Sequence, residues 1–306
     1  MNNTISDLVE LLDLENLEIN LFRGQSRNLG GKSVYGGQVV AQSLVAAYRT
    51  MKQGSQERIA HSLHAYFLRP GDMEAPIVYD VERIRDGLGF SVRRIKAIQH
   101  GKTIFTMMAS FQVPEVGYEH QMPMPDVPPP EEVTDQNTLR RQWVDELGDS
   151  ISDRLREHYL RELPVEFRPV QPQNPFNPEK REPLRQIWFR SHGGLPDDKL
   201  VQQCALVYAT DFNLLGTAFL PHGTSYMQPG MMVTSLDHAV WIHRPCRVDE
   251  WLLYVMDSPG AINARGSSRG LVYNREGKLV ATVAQESLMR NTNLKHSQAT
   301  DVPDYF

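Results

Sequence analysis

Cysteine is scarce in this sequence: the 306 residues include only Cys204 and Cys246. A secreted scaffold held together by disulfides, or a zinc site built from thiolates, needs more cysteines than this. We expect both side chains to be buried, reduced thiols, because a disulfide between them would require a coincidence of geometry. The sequence implies no metal and no redox cofactor.

Long hydrophobic runs and an excess of positive charge are also missing. No apolar run approaches the roughly 20 residues of a membrane-spanning helix. The acidic, amphipathic start MNNTISDLVELLDL has neither the basic region nor the hydrophobic core of a signal peptide. The formal net charge of −5 disfavours nucleic acid as a partner. These features predict a cytoplasmic protein that binds neither membranes nor nucleic acids.

Two common catalytic motifs are incomplete or absent. Gly31-Lys32-Ser33 has the ending of a phosphate-binding loop, but that motif requires a glycine where the chain has Ser26. The G-x-S-x-G nucleophile elbow of the α/β-hydrolases occurs nowhere in the chain. A phosphate loop and the α/β-hydrolase design are therefore disfavoured.

Two helices, by contrast, are clearly indicated. The sequence predicts a mostly apolar helix over Lys199–Leu215, and a helix that is apolar on most of its surface is typical of a core element. Asp211 lies towards its C-terminal end, where a carboxylate is unusual. A second buried helix is predicted over Gln38–Met51, after a close backbone approach at Gly36-Gly37.

Strand-like segments with turn-forming residues between them follow the helix Gln38–Met51. They are predicted over His61–Leu68, Pro76–Ile84, Phe90–Gln99 and Thr103–Val113. Such an antiparallel sheet can curl around a helix and bury it on nearly all sides, which would explain why the helix lacks a polar face. A short helix over Ile5–Leu14 and a strand over Glu18–Phe22 are predicted before them.

The second half of the chain repeats the order of the first, which indicates an internal duplication. The matched pairs are Ser62-Leu63 with Ser235-Leu236, Arg69-Pro70 with Arg244-Pro245, and Gly101-Lys102 with Gly277-Lys278. Aligning the copies places Asp211 opposite Thr50 and Gln285 opposite Ala109. Because buried polar groups are costly without a partner, we expect the second copy to carry the function.

The composition changes between the two copies. Eleven of the 20 prolines fall between positions 115 and 183, and residues 134–161 are rich in charged side chains. This pattern predicts a connector with its own solvated helices. We therefore divide the chain into an N-terminal domain (1–115), a proline-rich connector (116–184) and a C-terminal domain (185–306).

Six motifs, in their order and spacing, carry a resemblance to a known family. They are YGGQVVAQSLVAA, HSLHAYFLRPGD, YDVERIRDG, YATDFNLL, SLDHAVWIHRP and VAQESLMR. The chain resembles the acyl-CoA thioesterase II family, the TesB-like double hotdog thioesterases, over nearly its whole length and least in the connector. The resemblance implies an α+β double hotdog: two tandem copies of a long helix wrapped by a curved antiparallel sheet. It also implies that the substrate is acyl-CoA, hydrolysed to free acid and CoA.

The resemblance implies a site in which an Asp, a Thr or Ser, and a Gln share one water molecule. These positions fall on Asp211 in YATDFN, Ser235 in VTSLDH and Gln285 in VAQES. Ser235 replaces the Thr of many members, which keeps the hydroxyl but loses the stiffness of a β-branched side chain. The carboxylate would accept the proton of the attacking water, and a backbone N–H near Gly36-Gly37 would polarise the thioester carbonyl.

Simpler interpretations stay open for each of these residues. Asp211 can be a solvated helix end, Ser235 an ordinary strand serine, and Gln285 an amide that bonds a sheet edge. We expect His238 to be a packed, hydrogen-bonded core histidine. It cannot form a dyad with Asp237, because adjacent strand residues face opposite ways.

Four further side chains also have two interpretations. His61 and His64 lie in a predicted strand, where each either packs or takes part in catalysis. Arg69 and Arg244 precede turn prolines, where each either contacts the phosphates of CoA or forms a structural ion pair.

Two other functions are compatible with the predicted fold. One is a hotdog hydratase or dehydratase acting on 2-enoyl-CoA, and the other is a non-catalytic acyl-CoA-binding protein. In each case we expect a homo-oligomer, either a dimer or a tetramer, because antiparallel sheets with unpaired edges tend to associate.

Overall fold

The computed structural model describes residues 5–29, 31–51 and 56–294. The helices in these ranges are α1 (Ile5–Leu12), α2 (Gly36–Arg49), α3 (Gln136–Leu147), α4 (Asp153–Tyr159) and α5 (Lys199–Thr210). The strands are β1 (Glu15–Glu18), β2 (Leu21–Gly24), β3 (Ile59–Phe67), β4 (Ile77–Asp86), β5 (Phe90–Gln99), β6 (Lys102–Gln112), β7 (Val165–Pro169), β8 (Leu184–Ser191), β9 (Met231–Ser235), β10 (Asp237–Ile242), β11 (Leu252–Ile262), β12 (Arg265–Asn274) and β13 (Leu279–Asn291).

The strands of the two halves form one antiparallel sheet. Its order is β1-β2-β4-β5-β6-β3-β10-β13-β12-β11-β8-β7, and β9 pairs with β13 outside this path. The halves meet where β3 pairs with β10, with Leu63 opposite Val240. The sheet is therefore continuous across the boundary between the two copies.

The helices α2 and α5 contact each other inside the curve of this sheet. Every residue from Gly37 to Ala47 and from Gln202 to Thr210 is buried. The hydroxyl of Tyr48 on α2 donates a hydrogen bond to the side chain of Gln203 on α5. The expected α+β double hotdog, with two buried helices wrapped by antiparallel strands, is confirmed.

Helix α5 begins as predicted but ends earlier. Asp198 caps its N-terminus by accepting from the backbone N–H groups of Leu200 and Val201. The helix ends at Thr210 and not at Leu215, because Asn213 has a left-handed φ of 68° that an α-helix cannot contain. A separate 3₁₀ segment, Leu215–His222, then follows. Asp211 is consequently the C-cap residue of α5.

The N-terminal strand prediction, Glu18–Phe22, is wrong. The chain instead forms the hairpin β1–β2, whose turn contains Asn20 with a φ of 62°. Asparagine tolerates this left-handed conformation better than most residues, so the chain reverses where an extended strand is expected. The other predicted strands of the first half are confirmed, and β5 has the predicted bounds, Phe90–Gln99.

The connector contains the predicted helices, α3 and α4, and also a strand. Val144, Ile151 and Tyr159 form a small buried cluster between the helices. The unpredicted strand β7 pairs with β8 and so extends the C-terminal part of the sheet. The three-part division of the chain at residues 115 and 184 stays a prediction.

The two cysteines are free thiols, as expected. Burial raises the pKa of both Cys204 and Cys246 above the usual value for a thiol. None of the helices in the described ranges is long and apolar enough to cross a membrane.

Candidate active site

Asp211, Ser235 and Gln285, which are far apart in sequence, come together at the C-terminal end of α5. Asp211 follows the last residue of that helix, and its side chain is only 5% exposed. Ser235 is the last residue of β9, and Gln285 lies on the neighbouring strand β13. The sheet therefore supplies the amide and the hydroxyl, and the buried helix supplies the carboxylate.

The side-chain amide of Gln285 connects the other two groups. Its nitrogen donates to Asp211 Oδ1 at 3.0 Å and also to Ser235 Oγ. Both amide hydrogens are then used, and the Ser235 hydroxyl, which accepts from the amide, keeps its own hydrogen for another acceptor. The three side chains thus form one hydrogen-bonded unit with a spare donor and a carboxylate.

The start of helix α2 lies directly against this carboxylate. A Cβ atom on Gly36 would lie 2.7 Å from Asp211 Oδ2, and one on Gly37 would lie 2.6 Å from the Tyr208 carbonyl oxygen. Only glycine allows this approach, as the Gly36-Gly37 sequence predicts. The Tyr35 hydroxyl, which donates to the same carbonyl at 2.9 Å, holds the two helix ends together.

Gly36, at the start of α2, consequently lies beside the carboxylate. The N–H groups of Gln38 and Val39 donate to the Tyr35 carbonyl oxygen, whereas those of Gly36 and Gly37 have no acceptor within the helix and carry its positive partial charge. Burial, and after it the negative charge of Asp211, raise the pKa of Tyr35 well above its usual value, so the hydroxyl stays a donor. The site therefore combines a carboxylate with backbone donors from the other half of the chain.

His238 belongs to the same cluster, which the sequence did not reveal. It is fully buried, its Nε2 lies 3.1 Å from Thr210 Oγ1, and its Nδ1 lies 4.0 Å from Asp211 Oδ1. Burial lowers its pKa, which the nearby carboxylates of Asp211 and Asp237 only partly oppose, so the ring is neutral. The expected packed, hydrogen-bonded histidine is confirmed, but its packing partner is the candidate catalytic carboxylate.

Asp237, His61 and His64 are not part of this hydrogen-bonded cluster. Asp237 accepts from the Glu286 backbone N–H at 2.7 Å, so it forms no dyad with His238. His61 bonds Ser110, and His64 packs its ring against Trp241. Neither histidine is among the residues that line the cavity described next.

A cavity of about 880 Å³ opens from Asp211 and Ser235 between the two halves and the connector. Its apolar lining includes Val39, Phe67, Ile104, Phe105 and Leu288. Its cationic lining consists of Lys32, Arg69, Arg140, Arg161 and Arg185. Among the described lining residues Asp211 is the sole carboxylate, although the chain as a whole has a net charge of −5.

These five cations are not neutralised by ion pairs with any carboxylate in the described part of the chain. Arg161 donates instead to the Asn28 carbonyl oxygen, and Arg140 lies over the ring of Tyr159. Arg244, by contrast, forms an ion pair with Glu119 away from the cavity. Of the two arginines proposed from the sequence, Arg69 alone can meet a ligand in this cavity.

The first half has the corresponding arrangement of helix and strands, but with different side chains at each position. In the second half, Ser268 pairs with Gln285, and the register of β10 places His238 on the other side of Gln285. In the first half, Arg93 and Leu63 flank Ala109 in the same way, next to Thr50 at the C-terminus of α2. The internal alignment of Gln285 with Ala109 is therefore consistent with the strand register.

Arg93 fills the space that corresponds to the candidate site. Its fully buried guanidinium donates to Thr50 Oγ1 at 2.8 Å and pairs with Asp86 at 2.7 Å. The first half thus has the cation of Arg93 where the second half has Ser268. It has the methyl group of Ala109 where the second half has the amide of Gln285. Only the second half retains the group of carboxylate, hydroxyl and amide.

The enclosed helix pair, wrapped by antiparallel strands, defines a double hotdog protein. Residues 25–112 match the family model "Acyl-CoA thioesterase N-terminal domain", and residues 155–288 match the family model "Acyl-CoA thioesterase". The chain is 43% identical to Acyl-CoA thioesterase 2 of Haemophilus influenzae over 290 residues, which cover 95% of this chain and 99% of that protein.

Two further proteins with similar sequences are also acyl-CoA thioesterases. The chain is 40% identical to human Acyl-coenzyme A thioesterase 8, over 92% of this chain and 88% of that protein. It is similar to the crystal structure of the acyl-CoA thioesterase II TesB2 from Mycobacterium marinum, with a TM-score of 0.73, 40% identity, and coverage of 93% and 98% of the two chains. The chain belongs to the acyl-CoA thioesterase II family, and it is an enzyme that hydrolyses acyl-CoA thioesters.

Proposed function

We propose that Asp211, Ser235 and Gln285 carry out the hydrolysis by activating one water molecule. The observation that supports this most directly is the Gln285 amide, which donates to both Asp211 and Ser235 at the wall of the cavity. It fixes the carboxylate and the hydroxyl relative to each other. A water molecule held between them can donate to Asp211 and accept from Ser235.

The proposed reaction needs no covalent intermediate. Asp211 accepts a proton from water as the water oxygen bonds to the thioester carbonyl carbon. The resulting oxyanion lies near the unpaired N–H groups at the start of α2, by Gly36 and Gly37, which stabilise it. The C–S bond then breaks, and the leaving thiolate takes the proton from Asp211.

The lining of the cavity suggests how the two ends of an acyl-CoA are accommodated. CoA carries several phosphate charges, which five unpaired cations around one carboxylate can bind. The apolar side chains Val39, Phe67, Ile104 and Phe105 suit a fatty acyl chain. We propose fatty acyl-CoA as the substrate on this basis.

We also propose that the protein acts in the cytoplasm as a homo-oligomer, either a dimer or a tetramer. Tyr66 on β3 and Met108 on the adjacent strand β6 are 60% and 46% exposed on the outer face of the sheet. Burying such apolar groups against a second copy would favour association. Light scattering of the purified protein measures the mass directly, and fractionation of cells locates the protein.

The Asp211→Asn variant tests the catalytic proposal. Asparagine keeps an oxygen that can accept from Gln285 but cannot take a proton from water, so kcat should fall by roughly 10²–10⁴-fold. Thiol release from acyl-CoA measures this. Asp237→Asn is the matched control, because Asp237 bonds the backbone of Glu286 and does not line the cavity. Full activity of Asp211→Asn would exclude the proposed role of Asp211.

Crotonyl-CoA distinguishes thioester hydrolysis from the hydratase alternative. A thioesterase releases thiol while the double bond stays intact, whereas a hydratase removes the enoyl absorbance without releasing thiol. The hydratase mechanism would require an Asp and a His at the substrate carbons, but His238 is fully buried behind Asp211. We expect release of thiol alone.

A further inference from the structure

We propose that His238 is a positioning residue for this reaction and holds Asp211 through Nδ1 while Asp211 carries the proton taken from water. This inference rests on the proposed role of Asp211 as the base. It assigns a function to a histidine that does not itself reach the cavity.

The hydrogen bonds around the ring identify its protonated nitrogen. The Thr210 hydroxyl donates to the Val207 carbonyl oxygen at 2.9 Å, so it can only accept from His238. The proton of the neutral ring is therefore on Nε2, 3.1 Å from Thr210 Oγ1. The lone pair of Nδ1 consequently points away from Thr210.

The Nδ1 atom is a buried acceptor without a hydrogen-bond partner in the described part of the chain. It lies 4.0 Å from Asp211 Oδ1. Two acceptors that face each other across this distance cannot bond. Once Oδ1 carries a proton, it becomes a donor to Nδ1, and a movement of about 1 Å brings the pair to hydrogen-bonding distance.

The proton taken from water is returned to the leaving group. The water proton moves to Asp211, is shared with His238 as an Oδ1–H···Nδ1 hydrogen bond, and passes to the thiolate when the C–S bond breaks. His238 keeps its own proton on Nε2 throughout. The histidine thus stabilises the protonated form of the base without exchanging a proton with the substrate.

Few other titratable groups face the ring. Asp211 faces it from the end of α5, and Asp237 adjoins it on β10. Tyr254 of β11 donates its hydroxyl proton to the Thr210 carbonyl oxygen at 3.0 Å and remains protonated, because burial raises its pKa. No cation among the described residues forms an ion pair with Asp211 in place of the histidine.

The first half of the chain shows that the fold does not require this histidine. Leu63 occupies the corresponding place beside Ala109 and is fully buried, like His238 beside Gln285. A leucine of similar size therefore fits this position in the same architecture. The histidine is present only in the half that contains Asp211.

Three substitutions at position 238 distinguish a role in positioning Asp211 from a role in packing alone. His238→Leu introduces the side chain of the other half. His238→Asn places an amide oxygen near the position of Nδ1, whereas His238→Gln reaches Thr210 but leaves no acceptor near Asp211. We expect His238→Leu and His238→Gln to lower kcat about tenfold or more, the loss of one hydrogen bond to the protonated acid, with KM within about twofold of wild type.

His238→Asn should recover kcat to within about threefold of wild type, because it restores an acceptor at the right place. The control is His64→Leu, which replaces an exposed histidine on β3 that packs against Trp241. Equal losses of kcat in all three variants, together with lower melting temperatures, would show that His238 only packs. Wild-type kcat in His238→Leu would also overturn the proposal. If Asp211→Asn is fully active, the proposed function itself fails.

Discussion

At the scale of single residues, the site depends on one side-chain amide, that of Gln285, which bonds both of the other groups. The Gln285 amide donates one hydrogen to Asp211 and the other to Ser235, so a large rotation of either group breaks its bond to the amide. Side chains with two fixed partners lose little entropy in the transition state, because they are already ordered. The geometry of the proposed water site is thus set by one amide.

Ser235 provides a test at this scale. Ser235→Ala removes both the acceptor for Gln285 and the spare hydroxyl donor, and we expect kcat to fall roughly tenfold or more. Ser235→Thr keeps the hydroxyl with a stiffer χ1, so its kcat should be at least that of wild type. Steady-state thiol release measures both. A Ser235→Ala enzyme with wild-type kcat would remove Ser235 from the site.

Sequence patterns could identify some of these residues but not all. Asp211 attracts attention because it ends an apolar helix, and Gln285 because its counterpart in the first half is Ala109. His238 gives no such signal, because a histidine among apolar strand residues is usually a core residue, and that description also holds here. Its distance from Asp211 depends on how α5 packs on β10, which no local pattern contains.

At the scale of the elements, the start of α2 and the end of α5 function as a pair. Gly36→Ala would place a Cβ atom 2.7 Å from Asp211 Oδ2 and 2.9 Å from the Phe67 ring. Real Cβ contacts are longer, so the carboxylate must move. We expect kcat to fall at least tenfold, since displacing a catalytic group by about 1 Å can cost 10²-fold.

Gly260→Ala is the matched control for this variant. A Cβ atom there meets nothing within 4 Å, and the glycine does not need a positive φ. Its kcat and melting temperature should match those of wild type. If Gly36→Ala also keeps full activity, the close approach of the two helix ends does not matter for catalysis.

The connector provides a second test at this scale. Arg161 lies after α4 on the cavity wall, whereas Arg154, within α4, does not line the cavity. If Arg161 binds a CoA phosphate, Arg161→Gln should raise KM for acyl-CoA about fivefold, typical of one exposed charge pair. It should leave KM for the phosphate-free S-acyl-pantetheine unchanged.

Arg154→Gln is the control and should affect neither substrate. A similar rise in KM for both substrates with Arg161→Gln would mean that the arginine orders the connector and does not bind phosphate. Raising the salt concentration should weaken acyl-CoA binding in the wild type more than in the variant, because screening acts on the charge pair.

The sequence predicts some helices and strands better than others, for physical reasons. Strand β5 and the start of α5 have clear periodicity and a clear cap, and both are confirmed. The sequence does not mark the end of α5, because apolar residues continue past Asp211 into a 3₁₀ segment with similar composition. The sequence does not indicate strand β7, because it is a short edge strand of five residues that ends in proline and lies in a proline-rich stretch.

At the scale of the whole molecule, the two halves share their structural core. The sheet is continuous from β3 to β10, and α2 packs against α5, so separating the halves would expose a sheet edge and an apolar helix surface. We expect a fragment of residues 1–115 not to fold as a monomer. Gel filtration and circular dichroism of the fragment measure this, and a well-folded monomer would contradict it.

Co-expression of the two fragments extends this prediction. Residues 1–115 supply Gly36 at the start of α2, and residues 116–306 supply Asp211, so activity requires both. We expect thiol release to return when the two fragments are produced together. Activity of residues 116–306 alone would show that the backbone donors of α2 are dispensable.

The buried Arg93 makes the asymmetry between the halves difficult to reverse. A working site in the first half would need a base at the end of α2, an amide in place of Ala109, and removal of Arg93, all at once. Replacing Arg93 alone would remove its ion pair with Asp86 and its hydrogen bond to Thr50, at a cost in stability and with no gain in activity. Each of these steps is thus harmful when taken alone, which keeps a chain with two such halves at one site.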